Sequence, residues 1–124
     1  EKSSIELLRA IARRDSLGTA ECVSSLLATG SHPLQITAFL SRAYRTLLFK
    51  ADNPSGITHP DFENAWYWRQ LSMNASLFRS NDLKRGIETI ACLDRELKGS
   101  KLPPELVTAL MAQHLVFRHQ PAPA

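Results

Sequence analysis

The chain has 124 residues, of which 44% are apolar, 22% charged and 7% aromatic, and its formal net charge is +3. This length suits one domain that buries roughly 65% of its extended surface, and the apolar content excludes a charge-rich disordered protein. No apolar run reaches the length of a membrane-spanning helix, and no apolar segment follows the N-terminus as in a secretory signal. Because the chain does not begin with Met, we expect a fragment of a longer protein.

The charge distribution and the two cysteines bear on nucleic-acid binding and on metal or disulfide sites. Dividing the chain after Phe62 gives 7 basic and 6 acidic residues in the first part and 8 and 6 in the second. Neither part is a concentrated basic patch, so the pI of about 9.1 is only weak evidence for nucleic-acid binding. Cys22 and Cys92 have no companion at metal-ligand spacing. We predict that both are reduced core thiols of a cytosolic protein.

The first two predicted helices are short. Ser3-x-x-Glu6 is a capping box, in which both side chains bond to backbone N–H groups at the start of a helix. Gly18-Thr19 marks the start of the second helix. Gly30 suits the left-handed position that follows the end of this helix. The inward positions predicted for these two helices are Ile5, Leu8, Ile11, Ala12, Val23, Leu26 and Leu27.

The third predicted helix is the central one. Pro33 opens it, because a first-turn proline loses no hydrogen bond, and it should run to about Ala51. Its apolar positions span more than one face: Ile36, Phe39, Leu40, Ala43, Tyr44, Leu47 and Leu48. A fourth helix is predicted over residues 61–74, with Phe62, Ala65, Trp66, Trp68, Leu71 and Met73 as its apolar positions.

Two further helices complete the chain. Ser80 or Asn81 caps the fifth helix and Gly99 ends it, whereas Pro103-Pro104 opens the sixth. Their predicted inward positions are Leu83, Ile87, Ile90, Leu93 and Leu97, then Leu106, Val107, Leu110, Met111 and Phe117. No alternating β-branched run occurs. The sequence therefore predicts an all-α fold, a compact orthogonal bundle of five to six helices with no sheet.

Motifs for common chemistries are missing from the sequence. It has no P-loop, no Gly-x-Gly-x-x-Gly and no His-Glu-x-x-His. His114 and His119 lie about 140° apart around a helix, so they cannot share a metal ion. His32 and His59 each precede a proline where a helix begins, and we expect them to shape those turns. We predict no catalytic residue, no cofactor and no metal.

An aromatic run on the fourth helix is one candidate for protein binding. Trp66, Tyr67 and Trp68 are consecutive, so the two tryptophans point about 160° apart. If Phe62 and Met73 face the core, Trp66 lies near the inward side, and Trp68 and Tyr67 lie towards the surface. The alternative is a helix packed on both sides, with all three rings buried.

Charged side chains on two helices form a second group of candidates. The group consists of Arg42, Arg45 and Lys50 on the third helix and Arg9, Arg13 and Arg14 on the first. It is either a solvated face, a salt-bridging surface for a neighbouring subunit, or a nucleic-acid contact. The last reading has the least support because no aromatic side chains are interleaved with them. Asp94 lies on or beside the apolar stripe of the fifth helix, where it could pair with Lys98 four residues on.

The order of these features follows a known pattern in both halves of the chain. The first half shows a short helix, a small-residue break, a helix ending in Leu-x-x-x-Gly, a proline and a long Leu- and Arg-rich helix: LLRAIARRDSLGTAECVSSLLATGSHPLQITAFLSRAYRTLLFK. The second half shows His-Pro-Asp-Phe, in which Asp61 is inserted into the His-Pro-Phe of the pattern, then a further helix, a Ser-capped helix and a final acidic residue before Leu-Lys: HPDFENAWYWRQLSMNASLFRSNDLKRGIETIACLDRELKGS. The matching positions are Leu26, Gly30, Pro33, Leu40, Arg42, Arg45, Leu47, Leu48, His59, Pro60, Phe62, Arg69, Ser80, Leu83, Asp94, Leu97 and Lys98.

Over about residues 4–117 the chain thereby resembles the C-terminal helical domain of the delta subunit of the bacterial DNA polymerase III clamp loader. The resemblance implies a collar domain over residues 1–120, with a disordered tail at 121–124. In such clamp loaders the C-terminal domains of five subunits pack side by side in a ring. The resemblance thus implies an oligomerisation domain of the bacterial cytoplasm, with other clamp-loader subunits as partners and no membrane contact.

The same resemblance implies that this part of the delta subunit is not an enzyme, although the parent complex belongs to DNA polymerase III. The sliding clamp and DNA would be reached only through other parts of the parent protein. We expect Tyr67, Trp68, Arg42 and Arg45 to belong to the subunit interface, with apolar anchors in the middle and basic residues at the rim. The alternative function is a basic helical nucleic-acid-binding module, whose affinity would fall steeply with salt.

Overall fold

The computed structural model describes the backbone of residues 2–52, 65–99 and 101–118, and the side chains of 4–52, 69–96, 99 and 101–118. Over these residues the chain forms helices and no strand. The helices are α1 (Lys2–Ala12), α2 (Ser16–Ala28), α3 (Pro33–Asp52), α4 (Ala65–Asn74), α5 (Ser80–Gly99) and α6 (Pro104–Arg118), with a 3-10 turn at Ala75–Leu77. The predicted all-α bundle is confirmed. No helix in the described ranges is long and apolar enough to cross a membrane.

The turn between α1 and α2 is built without glycine. Arg14 takes a left-handed conformation, with φ of 56°, and the N–H of Asp15 donates to the carbonyl of Ala10 at 2.9 Å. The Asp15 carboxylate then caps α2 by accepting a hydrogen bond from the backbone N–H of Gly18 at 2.8 Å. The start of the second helix predicted at Gly18 is therefore two residues late, since α2 begins at Ser16. The capping box is also wrong, since α1 begins before Ser3.

The turn between α2 and α3 follows the sequence prediction. Gly30 has φ of 96°, and the N–H of Ser31 donates to the carbonyl of Leu26 at 2.9 Å, which ends α2 in a Schellman motif. His32 caps α3: its Nδ1 accepts from the N–H of Leu34 at 3.1 Å, while the Gln35 side chain accepts from the N–H of His32 at 2.8 Å. The turn-shaping role predicted for His32 is confirmed, whereas His59 lies outside the described residues.

Helix α3 runs through the middle of the bundle. It packs most extensively against α5 and also contacts α1, α4 and α6. The predicted core position Leu47 is 1% exposed, and Leu48 is half-buried. The other inward positions predicted for α3 are buried: Ile36, Phe39, Leu40, Ala43 and Tyr44.

Close contact between α3 and α5 depends on one glycine. The ring of Tyr44 lies directly over Gly86, where a Cβ atom would overlap the ring. Tyr44 also packs edge-to-face on Phe78, with ring centroids 5.6 Å apart. Burial raises the pKa of the Tyr44 hydroxyl, and the nearby Asp82 carboxylate acts in the same direction.

Helix α6 closes the bundle against α1, α2, α3 and α5. Its buried side chains include Val107, Met111, Ala112, Leu115 and Val116. Three positions predicted to face inward are exposed instead, namely Leu106, Leu110 and Phe117. The prediction fails because α6 is apolar on two sides, and only the Val107–Met111–Leu115 side meets the other helices.

Hydrogen bonds from α1 hold the second half of α4. The guanidinium of Arg9 donates to Oε1 of Gln70 at 3.0 Å and to Oδ1 of Asn74 at 3.3 Å. Leu71 and Asn74 are buried, whereas Met73 is 64% exposed. The inward direction assumed for Met73 is therefore wrong, because Leu71 and Asn74 define the face that meets the core.

Candidate protein-interaction surfaces

One side of α3 is exposed along three turns. Leu34, Ala38, Arg42 and Arg45 are all exposed, and their spacing places them on one face within about 80°. Leu34 is 57% exposed at the start of the face. Towards its other end, Nε of Arg45 donates to the backbone carbonyl of Ser41 at 3.3 Å. The two predicted interface arginines thus share a helix face with an exposed leucine.

This face borders an open groove between α3 and α5, here called the α3–α5 groove. Its volume is about 580 Å³. Small side chains, Thr37, Ala38, Ser41 and Ala91, form half of its lining. Its lining residues are Leu34, Thr37, Ala38 and Ser41 on α3, with Ile87, Ile90, Ala91 and Asp94 on α5.

One end of the α3–α5 groove carries a carboxylate. Tyr44 lies over Gly86, and the groove brings earlier α3 residues together with later α5 residues, so the two helices run in opposite directions. Half-buried Asp94 therefore lies at the Leu34 end. Arg45 lies about 16 Å away along α3, beyond the other end of the groove.

A second exposed apolar surface lies on α6. Leu106, Leu110 and Phe117 are spaced so that they fall within about 40° of each other around the helix, and we call them the α6 stripe. Phe117 is 73% exposed, Leu106 is 45% exposed and Leu110 is 42% exposed. The stripe lies between Glu105 in the first turn and Arg118 in the last turn. Large apolar side chains aligned in this way are typical of a protein-binding face.

The two predicted aromatic interface residues cannot be placed. Tyr67 and Trp68 belong to α4 by their backbone, but their side chains lie outside the described residues, as does that of Trp66. The expected difference in exposure between the tryptophans used Met73 as an inward marker, and Met73 is exposed. The assignment of Tyr67 and Trp68 to an interface stays a prediction.

The two cysteines lie in separate clefts and are both free thiols. Cys22 is half-buried between α1 and α2, where burial raises its thiol pKa and the carboxylates of Glu6, Glu21 and Asp15 raise it further. A thiol held protonated in this way is a poor nucleophile. Cys92 is exposed beside α6, so the prediction of a core thiol is wrong for it.

Metal chemistry has no support in the described part of the chain. No group of three or more His, Cys, Asp or Glu side chains there could hold a metal ion. Asp94 lies in the α3–α5 groove rather than in a cluster of carboxylates. The Lys98 side chain, its suggested partner, lies outside the described residues.

Sequence reasoning missed both exposed apolar surfaces. Leu34 precedes the apolar pattern of α3 by two residues, and Ala91 lies between Ile90 and Leu93, which are predicted to face inward. The groove forms because small residues of two distant helices face each other, which no single helix pattern reports. For α6, the signal was available: a helix that is apolar on two faces presents one of them to another molecule.

A comparison with solved structures finds a neighbour that shares this fold. The Bacillus subtilis DNA clamp loader delta protein superposes with a TM-score of 0.72 at 23% sequence identity. The likeness covers 93% of this chain and 36% of that protein, so the chain spans about a third of its length. No family model and no curated protein matches the sequence. The chain therefore has a clamp loader delta-like helical fold.

Proposed function

We propose that the chain is the C-terminal helical domain of a clamp loader delta subunit, a single domain over residues 1–120. In this role it holds its subunit in the pentameric complex that loads the sliding clamp during DNA replication, in the bacterial cytoplasm. The observation that carries the proposal is the structural likeness, which covers 93% of this chain but 36% of the clamp loader delta protein. The sequence resemblance likewise implies a helical domain that forms one part of such a protein.

The exposed surfaces suit an assembly role. A subunit that sits between two neighbours in a ring needs two different contact surfaces. The α3 face and the α6 stripe supply two: the α3 face has one large apolar side chain, Leu34, beside Arg42 and Arg45, and the α6 stripe has three. Buried apolar anchors would supply the affinity, while Arg42 and Arg45 at the rim would favour the correct partner.

Association with the other clamp-loader subunits of the same bacterium tests the proposal. The purified domain should co-elute with them on size-exclusion chromatography at about 10 μM. Replacing both Arg42 and Arg45 by glutamate should weaken the complex at least tenfold, since it reverses the charge of the rim. Arg13→Glu is the matched control, because Arg13 is exposed in the turn after α1, outside both surfaces.

A duplex DNA titration separates this proposal from the alternative. The collar role predicts no appreciable DNA binding even at low salt. A nucleic-acid-binding module would bind DNA with an affinity that falls by orders of magnitude between about 50 and 200 mM salt. Salt-sensitive DNA binding, together with failure to bind any clamp-loader subunit, would contradict the proposal.

A further inference from the structure

We propose that His32 makes the first turn of α3 sensitive to pH, through a hydrogen bond that only the neutral imidazole can accept. His32 is exposed immediately before α3, and its Nδ1 accepts from the backbone N–H of Leu34 at 3.1 Å. This N–H lies in the first turn of the helix, where no carbonyl of the same helix is available to it. The proposal concerns the fold of the chain and does not depend on the clamp-loader role.

The hydrogen bond to Leu34 defines the protonation state of the His32 ring. Nδ1 accepts only when it carries no proton, so the one ring proton is on Nε2. Both nitrogens of a protonated imidazole are donors, so no rotation of the ring restores the bond. Histidine gains its charge between about pH 8 and pH 5, where the oxygen atoms of the commoner capping residues remain acceptors. The cap of α3 is therefore one that mild acid removes.

The helix itself also disfavours a charged His32 ring. The start of α3 carries the partial positive charge of its exposed N–H groups, and its first turn holds no acidic residue to offset that charge. A cation at the capping position is repelled by this end of the helix. The lost hydrogen bond and the repulsion act in the same direction, so both destabilise the first turn of α3 when His32 is protonated.

Charged side chains of the neighbouring helices act on His32 as well. The last turn of α2, residues 25–28, has none. On α5, Asp94 lines the α3–α5 groove together with Leu34, and its carboxylate favours the protonated ring. The other charged side chains near the end of α5 and the start of α6 are two of each sign: Arg95, Glu96, Lys101 and Glu105. Water and salt screen these charges at an exposed ring, whereas the hydrogen bond and the helix end act on the ring directly.

The first turn of α3 carries one end of the exposed α3 face. Leu34, whose N–H donates to His32, is the large apolar side chain of that face. Other hydrogen bonds remain when the cap is lost, because the N–H groups of Gln35 and Ile36 donate to the carbonyl of His32 at 2.9 and 3.3 Å. The Gln35 side chain also accepts from the N–H of His32. Acid therefore loosens the chain at Leu34 without unfolding α3.

An NMR titration of the purified chain from pH 8 to pH 5 tests the proposal. The amide proton of Leu34 should move upfield as its hydrogen bond is lost, with the same midpoint as the His32 ring. In the His32→Asn variant this movement should disappear, because asparagine caps a helix without titrating in this range. His114→Asn is the matched control, since His114 is exposed on α6, and it should leave the Leu34 titration unchanged.

Urea unfolding measures the size of the effect. Between pH 8 and pH 5.5 the folding equilibrium constant should fall about two- to fivefold more in the wild type than in His32→Asn. The His32→Ala variant lacks the acceptor at every pH, so it should be less stable than the wild type at pH 8 and no less stable at pH 5. A Leu34 amide that does not follow the titration of His32 overturns the proposal, as do parallel pH profiles of the wild type and His32→Asn.

Discussion

Replacing Gly86 by alanine should destabilise the domain, although the same change stabilises most helices. Gly86 lies within α5, where alanine is favoured over glycine by about 1 kcal/mol. At this position, however, the added Cβ would overlap Cε2 of Tyr44 and would lie 2.5 Å from Cδ2 and 3.2 Å from Cζ of the same ring. Either α5 or the ring must move.

The ring has little room to move. Tyr44 is 2% exposed and packs edge-to-face on Phe78, so that a shift away from Gly86 would disturb a second buried ring. Overpacking of this kind costs typically about 1–3 kcal/mol and occasionally more, which exceeds the gain in helix propensity. We therefore expect a net loss of up to about 2 kcal/mol for Gly86→Ala, which lowers the Tm by roughly 5 °C.

Urea unfolding followed by circular dichroism measures this loss. Gly99→Ala is the control, since nothing lies within 4 Å of the position where its Cβ would be, and it should be neutral or slightly stabilising. In a Tyr44→Leu background the cost of Gly86→Ala should shrink, because the clashing ring is gone. If Gly86→Ala raises the stability of the wild-type domain, the close packing of α3 on α5 described above is wrong.

Three further changes test other parts of the fold. Leu47→Ala should cost about 2–5 kcal/mol in urea unfolding, since Leu47 is 1% exposed in the core, and a loss below about 1 kcal/mol would contradict its central position. Asp15→Ala removes the hydrogen bond to the N–H of Gly18 and should cost about 1 kcal/mol, whereas Asp15→Asn should retain most of the stability; equal losses for both would mean that the cap is unimportant. The pKa of Tyr44 is raised above its ordinary value near 10, so the folded protein holds the hydroxyl proton more tightly than the unfolded chain. The free energy of unfolding should therefore decline as the pH rises above about 10. In the Tyr44→Phe variant this decline should be smaller, and an unchanged alkaline decline would show that other groups cause it.

The features predicted correctly from the sequence are those with a local cause. Gly30 and Pro33 mark the α2–α3 turn because glycine accepts a positive φ and proline suits a first helical turn. The central place of α3 follows from apolar residues on more than one of its faces. In the α1–α2 turn, by contrast, Arg14 adopts the left-handed conformation that usually indicates glycine, so the sequence carries no signal at that residue.

The features that could not be predicted depend on contacts between distant segments. The outward direction of Leu110 is set by α2 and α5, which cover the opposite side of α6. The groove walls at Ala38 and Ala91 are more than fifty residues apart in sequence, and their proximity follows from the antiparallel packing of α3 and α5. Of the four predicted interface residues, Arg42 and Arg45 could be placed on an exposed face from helical spacing once that packing was known.

The position of α6 also governs when the domain can fold during synthesis. Met111 and Leu115 are buried against helices from throughout the chain, and Ser16 exchanges two hydrogen bonds with Gln113, at 2.7 and 2.9 Å, across 97 residues of sequence. A ribosome makes the helices in order, at about 5–20 residues per second, so the first five must wait for their last partner. Until α6 emerges, the nascent chain exposes the apolar faces of α2 and α5 that this helix covers. Folding of this domain is therefore completed only after α6 has emerged from the ribosome, and a chain that stops before α6 lacks the helix against which α1, α2, α3 and α5 pack.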